Sequence, residues 1–240
     1  MANKKIEKAL YGPSTVEVAL GAVLGLVAGL LVACVYLVFK PVLSVKEMPK
    51  EPVRGAVYFI PGSDATPKAK ALTAKQKAFI AGGSIDLIED ELNAWSAATF
   101  GAAPVAPKGP APKPGAKGEA AKAETPAVNY DGVLNPDRPN FKIKDGTLQI
   151  GFKCMLNWYG LTHEVIVLTT GTIQQSGDDF VYVPTTLYLG SCPIHLIPGA
   201  AKPLWEYLVG KKKAPDEIKS AWAKATEVTL DGSTLKITMK

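Results

Sequence analysis

Residues 141–158 read Phe141-Lys142-Ile143-Lys144-Asp145-Gly146-Thr147-Leu148-Gln149-Ile150-Gly151-Phe152-Lys153-Cys154-Met155-Leu156-Asn157-Trp158. Asp145-Gly146 is a dipeptide that accepts the positive φ angles of a tight hairpin turn. After it, Leu148, Ile150, Phe152, Cys154, Leu156 and Trp158 occupy every even position. Thr147, Gln149, Gly151, Lys153 and Asn157 occupy the odd ones, with Met155 the exception. A two-residue period is that of a strand with opposite faces in different surroundings. The segment is therefore a β-hairpin with one buried face and one wet or lightly covered face.

Further strands follow toward the C-terminus. Trp158-Tyr159-Gly160 turns the chain into a long strand, Leu161 to Gln175, with a bend expected at Gly171. Ser176-Gly177-Asp178-Asp179 is the next turn, and Phe180 to Leu189 the next strand, where Pro184 marks a bulge or an edge. Ala201 to Val209 is a helix with Leu204, Trp205 and Leu208 on one side. Asp216 to Ala225 places Ile218, Ala221, Trp222 and Ala225 at helical spacing. A second Asp-Gly turn, Asp231-Gly232, joins Val228-Thr229-Leu230 to Leu235-Lys236-Ile237. Residues 129–240 thus read as an antiparallel sheet, a meander, plus two helices, and the fold class is α+β.

Residues 41–100 form a short α/β region. Ala56 to Ile60 and Ser84 to Leu87 read as strands, Thr73 to Ile80 and Glu89 to Phe100 as helices. Leu92, Trp95 and Thr99 share one face of the last helix. Glu89, Asp90 and Glu91 read as a solvated helix start that suits the helix dipole. The region holds few apolar residues, so it is expected to pack on the C-terminal part. Between them, residues 101–128 contain six Pro, nine Ala and four Gly. That composition cannot bury enough apolar surface to offset chain entropy, and the stretch reads as a disordered linker or insertion.

Val18 to Phe39 are twenty-two consecutive uncharged residues. As a helix they span roughly 33 Å, enough to cross a bilayer core. Residues 15–40 are accordingly a single transmembrane helix and residues 1–14 a tail. Ser14 and Glu17 have capping-box spacing. Lys40-Pro41 ends the run with a charge that can reach the interface and a residue that cannot continue the helix. Two other readings of this segment fit less well. A cleaved leader has a shorter apolar run and a small-residue cleavage site after it. Leu31-Val32-Ala33-Cys34 looks like a lipoprotein box, but Val35 to Phe39 continue the apolar run where such chains turn polar. Gly21, Gly25, Gly29 and Ala33 line one helix face with small side chains, the spacing of helix pairs in membranes, which fits a homodimer or a membrane protein partner. Lys4, Lys5 and Lys8 on one side and Lys40, Lys46, Lys50 and Arg54 on the other leave the charge bias nearly flat. A short tail before a first span stays inside, so the tail is expected in the cytoplasm and the long domain outside it.

The net charge is +5. It forms no dense basic stripe, which argues against a nucleic-acid partner. Lys211-Lys212-Lys213 is the one basic cluster, placed to complement a helix C-terminus, with anionic headgroups the alternative partner. No nucleophile elbow, phosphate loop or dinucleotide fingerprint occurs, so neither an enzyme nor a cofactor is expected. Cys154, His163, Cys192 and His195 could in principle hold zinc, but the spacing of Cys154 and His163 disfavours it and no metal is expected. A Cys154–Cys192 disulfide fits better if the domain lies outside the cytoplasm, but two separate buried thiols are the favoured reading. His163 beside Glu164 reads as an ordinary edge pair.

One resemblance emerges. A membrane helix, a helix bearing Glu89-Asp90-Glu91-Leu92-Asn93, long antiparallel strands, and Leu189-Gly190-Ser191-Cys192-Pro193 leading into an amphipathic helix resemble the YpmS-type membrane-anchored bacterial proteins and similar tubular lipid-binding-like domains. The resemblance spans residues 84–210 loosely; the Ala/Pro stretch and the final hairpin depart from it. It implies anchoring in a bacterial inner membrane with a periplasmic domain, and an apolar surface between sheet and helix able to take an acyl chain. Phe152, Leu156 and Trp158 are then expected to face Leu204, Trp205 and Leu208 across that groove. Two functions compete: a non-catalytic binding module for a lipid, apolar ligand or envelope partner, and a structural subunit of a membrane complex.

Overall fold

The computed structural model describes residues 12–63, 69–101, 132–177, 179–211 and 213–239. The tail 1–11 and nearly all of the Ala/Pro stretch 101–128 lie outside the described residues. The first element among the described residues is helix α1 (Thr15–Phe39), long and apolar enough to cross a membrane and exposed over most of its length. Its start is a reciprocal cap: the Glu17 N–H donates to Ser14 Oγ and the Ser14 N–H to Glu17 Oε2, both at 3.3 Å. The first orphan donors of the helix are satisfied in this way.

A five-stranded antiparallel sheet forms the centre, in the order β4 (Leu134–Lys144), β5 (Thr147–Trp158), β6 (Leu161–Ser176), β7 (Asp179–Leu189) and β8 (Cys192–Pro193). It is a meander in which sequence neighbours pair. β4 begins at Leu134, well before the expected Phe141. Pro136 and Pro139 are accommodated because β4 is the edge, where a missing N–H breaks no ladder, and the register slips between them. The expected bend at Gly171 coincides with a register shift against β7 at Thr170/Gly171. A side chain on Gly171 would run into the Val183 carbonyl, so only glycine allows this close pairing.

A second antiparallel sheet joins distant parts of the chain. β3 (Ile85–Ile88) pairs with β10 (Thr234–Met239), which pairs with β9 (Ala225–Asp231). Its buried residues Ile85, Leu87, Val228, Leu235 and Ile237 share one core with Leu148, Ile150, Phe152, Val167 and Leu187 of the large sheet. Phe79 of α2 (Ala69–Ile80) belongs to the same core. Burial of these aliphatic and aromatic side chains is the main stabilising term, at about 1.5–3 kcal/mol for each large one.

The other face of β5 is covered too. A short parallel pair, β1 (Leu43–Ser44) and β2 (Tyr58–Phe59), sets the buried Phe59 ring directly on Gly151. Gln149 Nε2 donates to the Ile60 carbonyl at 3.0 Å. Gly151 is the odd position at which a side chain would have displaced that ring.

Candidate functional site

Helix α3 (Glu89–Phe100) carries two functional faces. Glu89, Asn93 and Ser96 lie on one and bond the outer edge of β4. The Ile143 N–H donates to Glu89 Oε2 at 3.2 Å, the Phe141 N–H to Asn93 Oδ1 at 2.7 Å, and Ser96 Oγ to the Pro139 carbonyl at 2.6 Å. Glu89 Oε1 also accepts from the Ser63 N–H at 2.7 Å. Glu91 accepts from Lys75 Nζ at 2.7 Å and from the Ile88 N–H at 3.2 Å. The acidic start is therefore not a solvated one: Glu89 and Glu91 are consumed by an edge strand, a cap and an ion pair. Sequence alone does not show this because the partners are backbone groups of a remote segment.

The opposite face of α3, with Leu92, Trp95 and Thr99, looks into an apolar cavity of about 140 Å³. Phe79, Leu87, Leu235, Ile237, Ile218 and Trp222 complete much of its wall. Ile218 and Trp222 come from α5 (Asp216–Trp222), which forms one side of the cavity. The Trp222 indole N–H donates to the Phe180 carbonyl at 2.9 Å, which pins the ring. The Phe79 and Trp95 rings meet edge to face at 5.5 Å. On the outer side of α5 a wider cleft of about 570 Å³ shares Ala214, Ile218 and Trp222 and adds Asp179, Phe180, Val181 and Lys219. The inner slot offers hydrophobic contact alone. Ser96, its one hydroxyl besides Thr99, is already bonded to Pro139.

The expected groove lies elsewhere and is filled. Phe152 is 4% exposed and its ring sits 6.2 Å from that of Trp205, on α4 (Ala201–Lys211). Trp205 is also 5.1 Å from the Tyr182 ring. Leu208 is 0% exposed, and Leu156 and Leu204 are half-buried. These five gather on the core face of the sheet. Trp158 does not join them: it is half exposed, beside Tyr159 at the β5–β6 turn. The reason is length. A helix rises about 1.5 Å per residue and a strand about 3.3 Å, so α4 covers only part of β5. Burial pushes the Tyr182 phenol far above its ordinary pKa, opposed by its bond to Thr169.

The chemistry-bearing residues also separate. Cys154 lies on β5 and Cys192 on β8, three strands apart in the meander. At about 4.8 Å per strand that is roughly 14 Å, too far for a disulfide. The Cys154–Cys192 pairing is therefore not formed: all three cysteines are thiols, and Cys34 of α1 packs on the core cluster that contains Cys192. His195 Nδ1 lies 3.2 Å from the Leu187 N and 3.1 Å from its carbonyl. The His163 ring lies 5.2 Å from that of Phe39, tilted by 53°, and Glu164 pairs with Lys153 at 3.7 Å. Among the described residues, no three His, Cys, Asp or Glu come together.

The end of α1 is built into the domain. The Ser191 N–H donates to the Leu37 carbonyl at 2.9 Å and Ser191 Oγ to the Lys40 carbonyl at 3.2 Å. Gly190, at φ 58°, lies against the Val38 carbonyl, where no side chain fits. Gly21, Gly25 and Gly29, farther along α1, face open space. No family model, no curated protein and no solved structure matches this chain.

Proposed function

We propose that this chain is a non-catalytic binding module, anchored by α1 in a bacterial inner membrane with its domain on the periplasmic side. Its ligand is an apolar one, an acyl chain end or the apolar side chains of an envelope partner. The carrying observation is the apolar slot between α3 and α5, which shares the wall residues Ile218 and Trp222 with a second, open cleft. A cavity of about 140 Å³ suits one ring or a short alkyl segment, and the outer cleft adds room of the order of ordinary ligand sites. The slot lies near Phe180, at the opposite end of β6 from the α1 joint. Over sixteen residues that strand spans up to about 50 Å. A ligand would therefore be met from the aqueous side. Retention of α1 is supported by Cys34, Leu37 and Val38, which pack on the domain core. Removal of a leader would strip them from it. The YpmS-type resemblance agrees with a lipid ligand, but the groove it implies at Phe152 and Trp205 is occupied by side chains, so the reading moves to the slot.

The test is titration of a fluorescent fatty-acid probe into the full chain in nanodiscs. Saturable binding that Ala214→Trp weakens at least tenfold, with the unfolding midpoint preserved, upholds the reading. Equal signals from the variant and from empty nanodiscs sink it. The structural-subunit reading has its own support in the open glycine stripe of α1. Oligomers in mild detergent that Gly25→Leu disperses would favour it.

A further inference from the structure

We propose that Cys34 and Cys192 are a disulfide pair that staples the membrane helix to the edge of the sheet. The two backbones already touch there, through the Ser191 N–H and the Leu37 carbonyl at 2.9 Å. Cys34 precedes Leu37 by three residues and so shares its helix face. Cys192 follows Ser191. A disulfide needs Cα atoms about 5.5–6 Å apart, an approach reached only where backbones pack this closely. Gly190 permits it, because its bare Cα rests on the Val38 carbonyl. Cys34 packs on the buried cluster that contains Cys192, which is itself 1% exposed. Cys154, three strands from Cys192, does not compete for it.

The inference rests on the periplasmic side assigned above, where disulfides persist. The oxidant is the disulfide of an envelope thiol oxidoreductase. Burial first, then the neighbouring thiol, pushes Cys192 up to about 11. The less buried Cys34 therefore attacks the oxidant and forms a mixed disulfide. Cys192 then displaces it. Two S–H bonds are lost and one S–S bond forms, while the oxidant's S–S bond breaks and takes up both electrons and both protons. The bond so formed lies against the sheet edge, with the Cys192 side buried. It makes the last turn and a half of α1 a covalent part of the domain, so the domain keeps one attitude to the bilayer.

The experiment uses the full chain, expressed with a C-terminal topology reporter, alkylated with N-ethylmaleimide before lysis and mapped by mass spectrometry without reduction. The expected result is a Cys34–Cys192 linked peptide pair, unchanged in Cys154→Ser and lost in Cys192→Ala, where Cys34 becomes alkylated. Unlinked Cys34 and Cys192 in a chain whose reporter is periplasmic, or any link to Cys154, overturns the proposal. If the reporter is cytoplasmic, the side assignment fails instead. Oxidised glutathione applied to the purified chain in nanodiscs then decides the pairing: a 34–192 link upholds it and unlinked cysteines refute it. Cys34→Ala serves as a second variant, since a small apolar residue at that half-buried position leaves the packing of α1 intact.

Discussion

The side-chain amide of Asn93 exchanges two hydrogen bonds with the backbone of Phe141, as a residue of a neighbouring strand would. The Phe141 N–H donates to Oδ1 at 2.7 Å and Nδ2 donates to the Phe141 carbonyl at 2.8 Å. One helical turn to either side, Glu89 accepts from the Ile143 N–H and Ser96 donates to the Pro139 carbonyl, one bond each. An open sheet edge is a template for unwanted pairing with other chains. Here one helix face closes it, and the other face of the same helix walls the apolar slot. Edge protection and site formation are thus two consequences of one placement of α3.

Asn93 is 3% exposed. Asn93→Leu would leave a buried donor and acceptor on Phe141 unpaired, at a cost of about 3 kcal/mol. Urea unfolding of the full chain should show that loss. A change below about 0.5 kcal/mol, the range of surface substitutions, would mean that water reaches this edge and that α3 is not its cover.

Gly151→Ala should destabilise by about 1–3 kcal/mol, because the new methyl group meets the buried Phe59 ring. The same change in a Phe59→Ala background should cost much less. A double-mutant cycle measures the coupling. Simple additivity would show that Phe59 does not lie on Gly151.

Tyr182 sets an alkaline limit. Its hydroxyl donates to the Leu148 carbonyl at 3.1 Å and lies 3.2 Å from Thr169 Oγ1. Its pKa in the folded chain is raised above the ordinary 10.0. The folded state thus holds this proton more tightly than the unfolded one. Its contribution is complete below pH 10 and is lost as pH rises toward the folded value. Stability should fall with pH above 10, and Tyr182→Phe should flatten that slope while costing about 1 kcal/mol at neutral pH. An equal slope in both proteins would place the alkaline sensitivity elsewhere.

The periplasmic assignment predicts that an enzyme reporter active only after export gives signal when fused after Lys240. Doubling the basic residues beside Lys4, Lys5 and Lys8 should strengthen it, since positive flanks stay inside. Activity of a reporter that works only in the cytoplasm would reverse the orientation.

Local order was legible wherever the physics is local. Alternation from Leu148 to Cys154 matches the buried face of β5, and Ser14 with Glu17 forms the expected cap, because both depend on neighbours within a few residues. Leu92, Trp95 and Thr99 were correctly grouped on one face of a helix. That face turned out to wall the slot because α5 and the β3–β10 pair lie opposite it, which no periodicity in residues 89–100 encodes. Trp158 continued the alternation yet fell outside the core, since a pattern reports which face a side chain points to and not how far the covering helix reaches.

By itself the sequence determined that one helix is apolar enough to cross a membrane, that an antiparallel meander follows, and which side of its second strand is buried. These are properties of short windows, in which hydrophobic period and turn residues act through adjacent atoms. The tertiary structure alone decided that β3 joins β10, that Glu89, Asn93 and Ser96 close the edge of β4, that the groove at Phe152 is filled by Trp205, and that Cys192 meets Cys34 and not Cys154. Each is a meeting of segments far apart in the chain. Burial selects such meetings by the shape of the whole core, and many pairings of faces satisfy the same pattern until that core closes.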